Sequence, residues 1–378
     1  MADLAFVVDL PGRHHLSCHR LDASPPKGIA MIRALASVGE RRVSALRYIV
    51  CLACSFQVGV AQEPATPPSS ARQELIVVIG APGTDEYRAT FESWAARWKV
   101  AAERAAADCT MIGAVEHSAA DLEELTVALA ASIVVETTEP LWIVFIGHGT
   151  FDGRTASLNL NGPDISSQRM AEMLRSAKRP IAFIVCASCS SPFINALSAP
   201  DRIVISATKD GSQIQYSRFG AAMSQAIGGL DADINRDGQT SLLEAWLFAS
   251  RRTAEFYVTE GRLATEHALL DDNGDSKGTR AEVYEADRLK TNIENADQLD
   301  GSLASRWHLV RSDEERRLTP EQRRTRDGLE QQLEGLRRRK DKLAESEYLL
   351  QLEVILVPLA RLYESIDSPD EPTESPKK

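Results

Sequence analysis

Two short segments of this sequence carry side chains able to do acid–base and nucleophilic chemistry. His148 stands between Gly147 and Gly149, directly after an apolar run, and Ser188 and Cys189 follow a second apolar run. A histidine can take up and release a proton near neutral pH, and a serine hydroxyl or a cysteine thiolate can attack a carbonyl carbon. If the two runs are neighbouring strands, their ends bring these groups together. The pattern therefore predicts a reactive pair at the edge of a sheet.

The sequence around these residues alternates between strand and helix patterns. Short apolar runs bounded by Gly or Pro are typical of strands buried on both faces, and segments with apolar residues at helical spacing separate them. The predicted strands are 74–80, 109–115, 141–147, 180–186 and 201–207, and the predicted helices are 87–107, 119–135, 166–177 and 218–227. This alternation predicts an α/β domain with a mostly parallel sheet and helices on both faces. Such sheets bind ligands at the carboxyl ends of their strands.

The order of these segments resembles the caspase and legumain group of peptidases. An apolar strand before Gly147-His148-Gly149, and a second one that ends in small residues with a nucleophile, are similar to the His-Gly and Ala-Cys patterns of that group, over roughly residues 74–290. The resemblance implies a caspase-hemoglobinase-like fold that hydrolyses peptide bonds of a peptide or protein substrate. In that group a cysteine thiolate attacks, a histidine transfers the proton, and backbone N–H groups hold the oxyanion. Carried over, His148 is the acid and base, and the Gly149 amide is an oxyanion donor.

The nucleophile position departs from the family pattern. The family's cysteine directly follows alanine and precedes x-Ser-Gly, whereas Ser188 follows Ala187 here and Cys189 comes one position later. Three hypotheses remain open: Ser188 is a weaker nucleophile, Cys189 reaches the same point through a one-residue shift of the turn, or the site binds without cutting. Ser191 and Pro192 stiffen the turn and count against the shift. We expect a cysteine- or serine-type endopeptidase, with an inactive interaction module as the alternative.

Cys186 and Cys189 also form a Cys-x-x-Cys spacing. In an exported protein this spacing is compatible with a disulfide or a redox pair. The aromatic and Gly-Pro residues that flank thioredoxin-like motifs are missing, so a small buried residue at a strand end is the simpler interpretation of Cys186. The six cysteines of the chain are too few for a disulfide scaffold, so a hydrophobic core must stabilise the fold.

An acidic loop, residues 233–244, matches the calcium loop of EF-hand proteins. Its six ligand positions are occupied by Asp233, Asn235, Asp237, Gln239, Ser241 and Glu244. Gly238 stands where the loop must turn sharply, and residues 243–252 continue as a predicted helix. Oxygen ligands at this spacing, with the backbone carbonyl at position seven, suit a hard cation. The loop predicts a single structural Ca²⁺ site.

A second loop, residues 271–278, repeats part of this spacing. The corresponding ligand positions are taken by Asp271, Asn273, Asp275 and Glu282. Ser276 replaces the turn glycine, so a solvated acidic turn is the favoured interpretation and a weak cation site is the alternative. Just before this loop, His267 either approaches the strand ends as a second histidine or packs locally.

The N-terminal part of the chain predicts export. Residues 1–61 are typical of a leader with a signal peptide, and its better start is Met31: arginines precede the apolar run 48–60, and Ala61 marks the expected cleavage point. The apolar run is too short for a spanning helix, so we expect no permanent membrane span after cleavage. The expected location is periplasmic or extracellular. Residues 62–73 predict a flexible linker.

The composition changes after the α/β domain, which is predicted to span 74–290. Residues 291–367 predict a helical hairpin or short coiled coil with helices at 320–343 and 346–366, Pro358 predicts a kink, and 368–378 predict disorder. The hairpin is the expected surface for a protein partner or for self-association. The net charge of −11, from 43 basic and 54 acidic residues, argues against nucleic acid or an anionic membrane as the main partner.

Overall fold

A seven-stranded sheet organises the chain. The computed structural model describes residues 72–114, 120–290 and 298–367, so the predicted signal peptide, nearly all of the linker and the C-terminal tail lie outside the described residues. The strands are β1 Glu74–Ile79, β2 Asp108–Ile112, β3 Leu141–Ile146, β4 Gly149–Phe151, β5 Ala156–Leu158, β6 Ile165–Ser166, β7 Ile181–Cys186, β8 Arg202–Ser206, β9 Leu269–Asp271, β10 Thr279–Arg280, β11 Tyr284–Glu285 and β12 Arg288–Leu289.

The main sheet has the strand order β10-β9-β8-β7-β3-β1-β2. Strands β2, β1, β3, β7 and β8 pair in parallel, whereas β9 and β10 add to the β8 edge in antiparallel pairs. The five parallel strands correspond to the five that the sequence predicts. Their carboxyl ends meet at one edge of the sheet, and the antiparallel β9 ends at the opposite edge. Strands β4, β5 and β6 form a small separate sheet directly after β3.

Helices cover both faces of the main sheet. They are α1 Asp85–Ala105, α2 Asp121–Ser132, α3 Ser167–Leu174, α4 Pro192–Leu197, α5 Phe219–Ala226, α6 Leu242–Thr259, α7 Asp313–Arg317, α8 Pro320–Arg338 and α9 Glu345–Asp367. The N-cap of α3 is Ser166, whose hydroxyl accepts the Arg169 N–H at 3.1 Å. The N-cap of α1 is Thr84, and Asp85 is the first residue of that helix.

Alternating strand residues divide the core into two apolar layers, as expected for strands buried on both faces. Leu75, Val144 and Ile184 point to the layer that α1, α5 and α6 cover. Their neighbours in sequence point to the other layer, which α2, α3 and α4 cover. The α/β fold with a mostly parallel sheet and helices on both faces is therefore confirmed. Each layer fixes one face of the strand ends on which the candidate residues lie.

The C-terminal part of the chain contributes to both the body and a helical pair. Ala304 and Leu309 belong to the apolar layer beside α1 and α6, so the segment that starts at 298 packs against the sheet before the hairpin begins at Pro320. Helices α8 and α9 form the predicted hairpin around a small apolar cluster of their own. Among the described residues, no helix is both long and apolar enough to cross a bilayer.

Candidate functional site

The ends of β3 and β7 bring the predicted residues to the same level of the sheet. Ile146 of β3 is paired in register with Cys186 of β7, and His148 and Ser188 each follow by two residues. The Ser188 hydroxyl donates a hydrogen bond to the Gly149 carbonyl at 3.1 Å and accepts one from the Gly149 N–H at 3.3 Å. The two segments are therefore neighbours, and the contact between them runs through the Ser188 side chain and the Gly149 backbone.

Only a glycine fits at position 149 in this arrangement. A Cβ atom built on it would lie well under 3.0 Å from the carbonyl oxygen of Ser188, a separation that Cβ atoms essentially never show. The sequence placed Gly149 here as an oxyanion donor, and its N–H does point at the neighbouring strand end. In this structure the oxygen that it contacts belongs to Ser188.

His148 is half-buried and makes its hydrogen bond away from Ser188. Its Nε2 lies 3.2 Å from the carbonyl oxygen of Pro82. Because a carbonyl oxygen only accepts, Nε2 carries the proton, and in the neutral ring Nδ1 is the basic nitrogen. The ring also meets Tyr87 and Phe91 edge-on, with centroids 4.8 and 5.2 Å away. Aromatic walls thus fix the imidazole on the α1 side of the site.

Cys189 is turned into the protein. It has a left-handed backbone conformation (φ 54°), donates its N–H to the Gln213 carbonyl at 3.0 Å and is only 1% exposed. Burial raises the pKa of its thiol, so the reactive thiolate is disfavoured. Next to it, the Ser190 hydroxyl is held by Thr208 at the end of β8. Cys189 is therefore buried in this structure, whereas Ser188 is the residue whose side chain contacts Gly149.

The Cys186 and Cys189 thiols are both free. Cys186 ends β7 within the apolar layer beside α1, and burial raises the pKa of its thiol. A redox pair needs an accessible thiol of lowered pKa, whereas both thiols here have the opposite environment. The structure agrees with the simpler interpretation of Cys186 as a small core residue.

Glu266 and His267 lie near the same edge of the sheet, and they make different contacts. The buried Glu266 carboxylate accepts the Ser217 hydroxyl at 2.7 Å and the Arg218 and Phe219 N–H groups, which anchors the start of α5. His267 Nδ1 lies 2.8 Å from the side-chain amide of Gln213, the residue whose carbonyl holds Cys189. His267 therefore supports the loop under Cys189.

The EF-hand-like loop has the internal hydrogen bonds of a compact turn. Asp233 and Asn235 accept the Asp237 N–H at 3.2 and 2.9 Å, and Gly238 has φ 85° at the turn. Glu244 accepts the N–H groups of residues 234, 235 and 241, and with Ser241 it forms the capping box of α6. Burial raises the pKa of Asp237 and of Glu244. The loop thus offers oxygen donors at the spacing that suits a hard cation, but its carboxylates do not converge as closely as those of Asp271, Asp275 and Asp300.

Comparisons with solved structures find caspases at low overall similarity to this chain. No protein-family model and no curated protein matches it. Caspase-1 from Spodoptera frugiperda is 10% identical with a TM-score of 0.37, over 54% of this chain and 87% of that chain. The Drosophila initiator caspase Dronc is 17% identical with a TM-score of 0.39, over 63% of this chain and 98% of that chain. At these identities and TM-scores the likenesses carry no inference about the family or the activity of this chain.

Sequence reasoning missed the aromatic surroundings of His148. Tyr216 packs against Tyr87 at 4.8 Å and completes the wall around the imidazole. Phe91 lies on the buried face of α1, but no signal in the sequence pairs that face with His148. Burial also raises the pKa of the Tyr216 hydroxyl, so this group stays neutral at physiological pH.

Proposed function

We propose that this chain is a caspase-like protein whose strand-end site binds a peptide or protein segment without hydrolysing it. The observation that carries the proposal is the pair of hydrogen bonds between the Ser188 hydroxyl and the Gly149 backbone. They occupy both the candidate nucleophile and the candidate oxyanion donor. A serine hydroxyl needs an adjacent base to become a nucleophile, and in the described structure the Ser188 hydroxyl bonds to Gly149 and not to His148.

The groups around the site support binding of an extended segment. Tyr87 and Tyr216 are only partly buried beside His148, and each offers an apolar ring together with a polar hydroxyl. Aromatic side chains of this kind supply large contact area at low conformational cost. The ligand class that fits is a peptide with an apolar or aromatic side chain near the strand ends.

Hydrolysis through Ser188 is the second candidate, and the strand register favours it. His148 and Ser188 stand at the same level of β3 and β7, so a change of one Ser188 rotamer would release its hydroxyl from Gly149. In this version the released Gly149 N–H stabilises the oxyanion and His148 takes the hydroxyl proton. The second candidate predicts turnover by the unmodified protein.

One experiment separates the two candidates. Peptides selected from a random library by the immobilised full chain are tested for binding by fluorescence anisotropy and for cleavage by mass spectrometry. We expect saturable binding without cleavage, and we expect His148→Ala to weaken binding. Val258→Ala, at an 81% exposed position on α6, is the control that should bind normally.

Two results would overturn the first candidate. Cleavage by the unmodified protein that Ser188→Ala and His148→Ala both abolish would establish hydrolysis instead. Failure to select any peptide whose binding depends on His148 would remove the binding proposal. A Ser188→Cys variant tests the remaining machinery, because a gain of cleavage that still needs His148 would show that only the nucleophile is missing.

We also propose that Ca²⁺ stabilises the domain through residues 233–244. The carboxylate and amide oxygens of Asp233, Asn235, Asp237 and Glu244 support this, because a bound cation would neutralise carboxylates that are partly buried. The melting temperature of the full chain should rise on adding Ca²⁺. A rise that is equally large in Glu244→Gln would contradict this assignment.

Export and self-association remain proposals that rest on other parts of the chain. The signal pattern ending at Ala61 supports export to the periplasm or outside the cell, and mass spectrometry of the secreted protein should give Gln62 as the first residue. On α9, Leu350, Val354 and Val357 are exposed at coiled-coil spacing, which suits the same stripe of a second copy. Sedimentation velocity should show a dimer that Val354→Lys disrupts, and a monomer at all concentrations would contradict it.

A further inference from the structure

A second group of carboxylates lies at the opposite edge of the sheet from His148. Asp271 ends β9, Asp275 lies in the turn that follows, and Asp300 comes from the segment before the hairpin. One carboxylate oxygen from each of the three lies within 4.8 Å of the other two. Among the described residues, no other group of three such ligands is this close. Oxygens about 2.3–2.6 Å from a common Ca²⁺ ion would have spacings of this size.

The environment of Asp271 is a second, independent observation in favour of a bound cation. The residue is 0% exposed, its Oδ1 accepts the Gly274 N–H at 3.2 Å, and its Oδ2 has no hydrogen-bond partner. The Ser198 hydroxyl accepts the Ser276 N–H and can also donate toward this carboxyl, but it does not reach Oδ2 with hydrogen-bond geometry. A buried carboxylate oxygen without a partner is costly, and buried charges are normally paired or bound to a metal. The Oδ2 atom of Asp271 is therefore a candidate cation ligand.

Asp300 is held in place by the surrounding backbone. It is 2% exposed, its Oδ1 accepts the Asp272 N–H at 2.9 Å, and its Oδ2 accepts the Thr279 hydroxyl at 2.6 Å. Each carboxylate oxygen has more than one lone pair, so these bonds leave room for an ion. The structure thus fixes two ligands on rigid elements before any cation arrives, which is what a preorganised site requires.

Positive charge near the group is sparse. The Lys277 ammonium lies 3.9 Å from Asp275 and is 82% exposed, so solvent screens it. The fourth carboxylate nearby, Asp272, is satisfied by the N–H groups of Gly301, Leu303 and Ala304. Among the described residues, Lys277 is the side-chain cation that forms an ion pair with the remaining three carboxylates.

We propose that Asp271, Asp275 and Asp300 form a divalent-cation site that takes Ca²⁺. Hard carboxylate oxygens from the 271–278 loop and from the segment at 300 suit this ion, which accepts six to eight oxygen ligands in flexible geometry. Bound there, the ion would join β9, the 271–278 turn and the segment at 300. The site is independent of the strand-end function and of the loop at 233–244.

The structure explains why the sequence pattern favoured a solvated acidic turn at residues 271–278. Ser276 has φ 64°, so it adopts the left-handed turn that Gly238 supplies in the first loop. Glu282, which the spacing assigned to the last ligand position, is exposed and pairs with Arg280 at 3.0 Å. Asp300 supplies the distant carboxylate instead, from a place that local spacing could not reveal.

The test is calorimetric titration of the full chain with Ca²⁺ alone. We expect two sites in the unmodified protein if the loop at 233–244 also binds, and one site if it does not. Asp271→Asn and Asp300→Asn should each remove one site or weaken it by about tenfold or more, since ligand charge sets Ca²⁺ affinity. Glu244→Gln should affect only the other site, so the two proposals fail separately.

Two further variants make the result decisive. Asp275→Asn changes an exposed ligand, so it should lower affinity without disturbing the fold and covers the case in which a buried variant does not fold. Glu282→Gln is the matched control and should bind as the unmodified protein does. The proposal is overturned if Asp275→Asn and the folded Asp271→Asn variant leave the stoichiometry and affinity unchanged, or if Glu282→Gln abolishes a site.

Discussion

The Ser188 hydroxyl and the Gly149 backbone are joined by two hydrogen bonds, at 3.1 and 3.3 Å, across the ends of β7 and β3. A Gly149→Ala variant would push a methyl group into the Ser188 carbonyl oxygen. Because both partners are backbone at fixed strand ends, we expect a loss of about 2 kcal/mol in the free energy of unfolding, as for other overpacked sites. Urea unfolding measures it.

Gly229→Ala is the control for this prediction. A Cβ atom there would meet only ordinary contacts, at 3.6 and 3.9 Å. Its free energy of unfolding should stay within about 0.5 kcal/mol of the unmodified protein. Equal stability of the two variants would show that the ends of β3 and β7 can separate freely.

The parallel strands could be predicted because each is a continuous apolar run between turn residues. In contrast, β9 could not, since Leu269–Asp271 is three residues long and shows no period. The packing of the segment around Leu309 was also missed, because its apolar residues are scattered between charged ones. Its place beside α1 depends on contacts that are distant in sequence.

Because of the buried His308, we expect the free energy of unfolding to decrease at acidic pH. Burial, with help from Arg326 and Arg311, lowers the pKa of His308 to about 3. The unfolded chain binds this proton near pH 6.5 and the folded chain does not, so stability is complete above that pH and falls as the pH drops toward 3. The expected contribution is about 1.4 kcal/mol per pH unit in this window.

Urea unfolding at pH 7, 6 and 5 isolates the His308 contribution when it is compared with a His308→Gln variant. Carboxylates elsewhere titrate in both proteins. The difference between the two free energies of unfolding at each pH therefore reports on His308. The difference should shrink as the pH falls. Parallel curves would mean that His308 is charged, or absent from the interior, in the native protein.

Glu139 should matter for the docking of the C-terminal segment. Its buried carboxylate receives Arg311 at 2.6 Å and Arg323 at 2.9 Å, which links the start of β3 to α8. Glu139→Gln leaves two partly buried guanidinium groups without their anion, so we expect a loss of about 3 kcal/mol in unfolding free energy. Glu136→Gln, at an exposed position, should change it by less than about 0.5 kcal/mol.

Proteolysis gives a second measurement of the same link. If the Glu139 contacts hold α8 against the body, the Glu139→Gln variant should be cut near the hairpin faster than the Glu136→Gln variant. Identical cleavage rates would show that apolar packing alone holds the segment.

Gly328 is a site where the hairpin can be stabilised. It lies inside α8, and a Cβ atom there would meet nothing within 4 Å. Gly328→Ala should raise helix stability by about 1 kcal/mol, because alanine loses less backbone freedom in a helix. Circular dichroism during thermal unfolding measures the change, and a drop in stability would place a neighbour against this face of α8.

The candidate strand-end site was predictable in position but not in arrangement. Two apolar runs that stop at His148 and Ser188 reveal which residues share an edge. They do not reveal that Nε2 of His148 faces Pro82 or that the thiol of Cys189 points inward, because the turn geometry decides both. The group of Asp271, Asp275 and Asp300 could not be predicted either, because Asp300 is distant from Asp271 in sequence and approaches it only in the folded chain.

The antiparallel course of β9 places residues of both regions on one short segment. His267 lies just before the strand, and Asp271 ends it, roughly 14 Å away at about 3.4 Å per residue. Between them the strand is bonded on one side to β8 and on the other to β10. The segment that ends in a proposed cation ligand therefore begins at the residue that contacts Gln213, whose carbonyl accepts the Cys189 N–H.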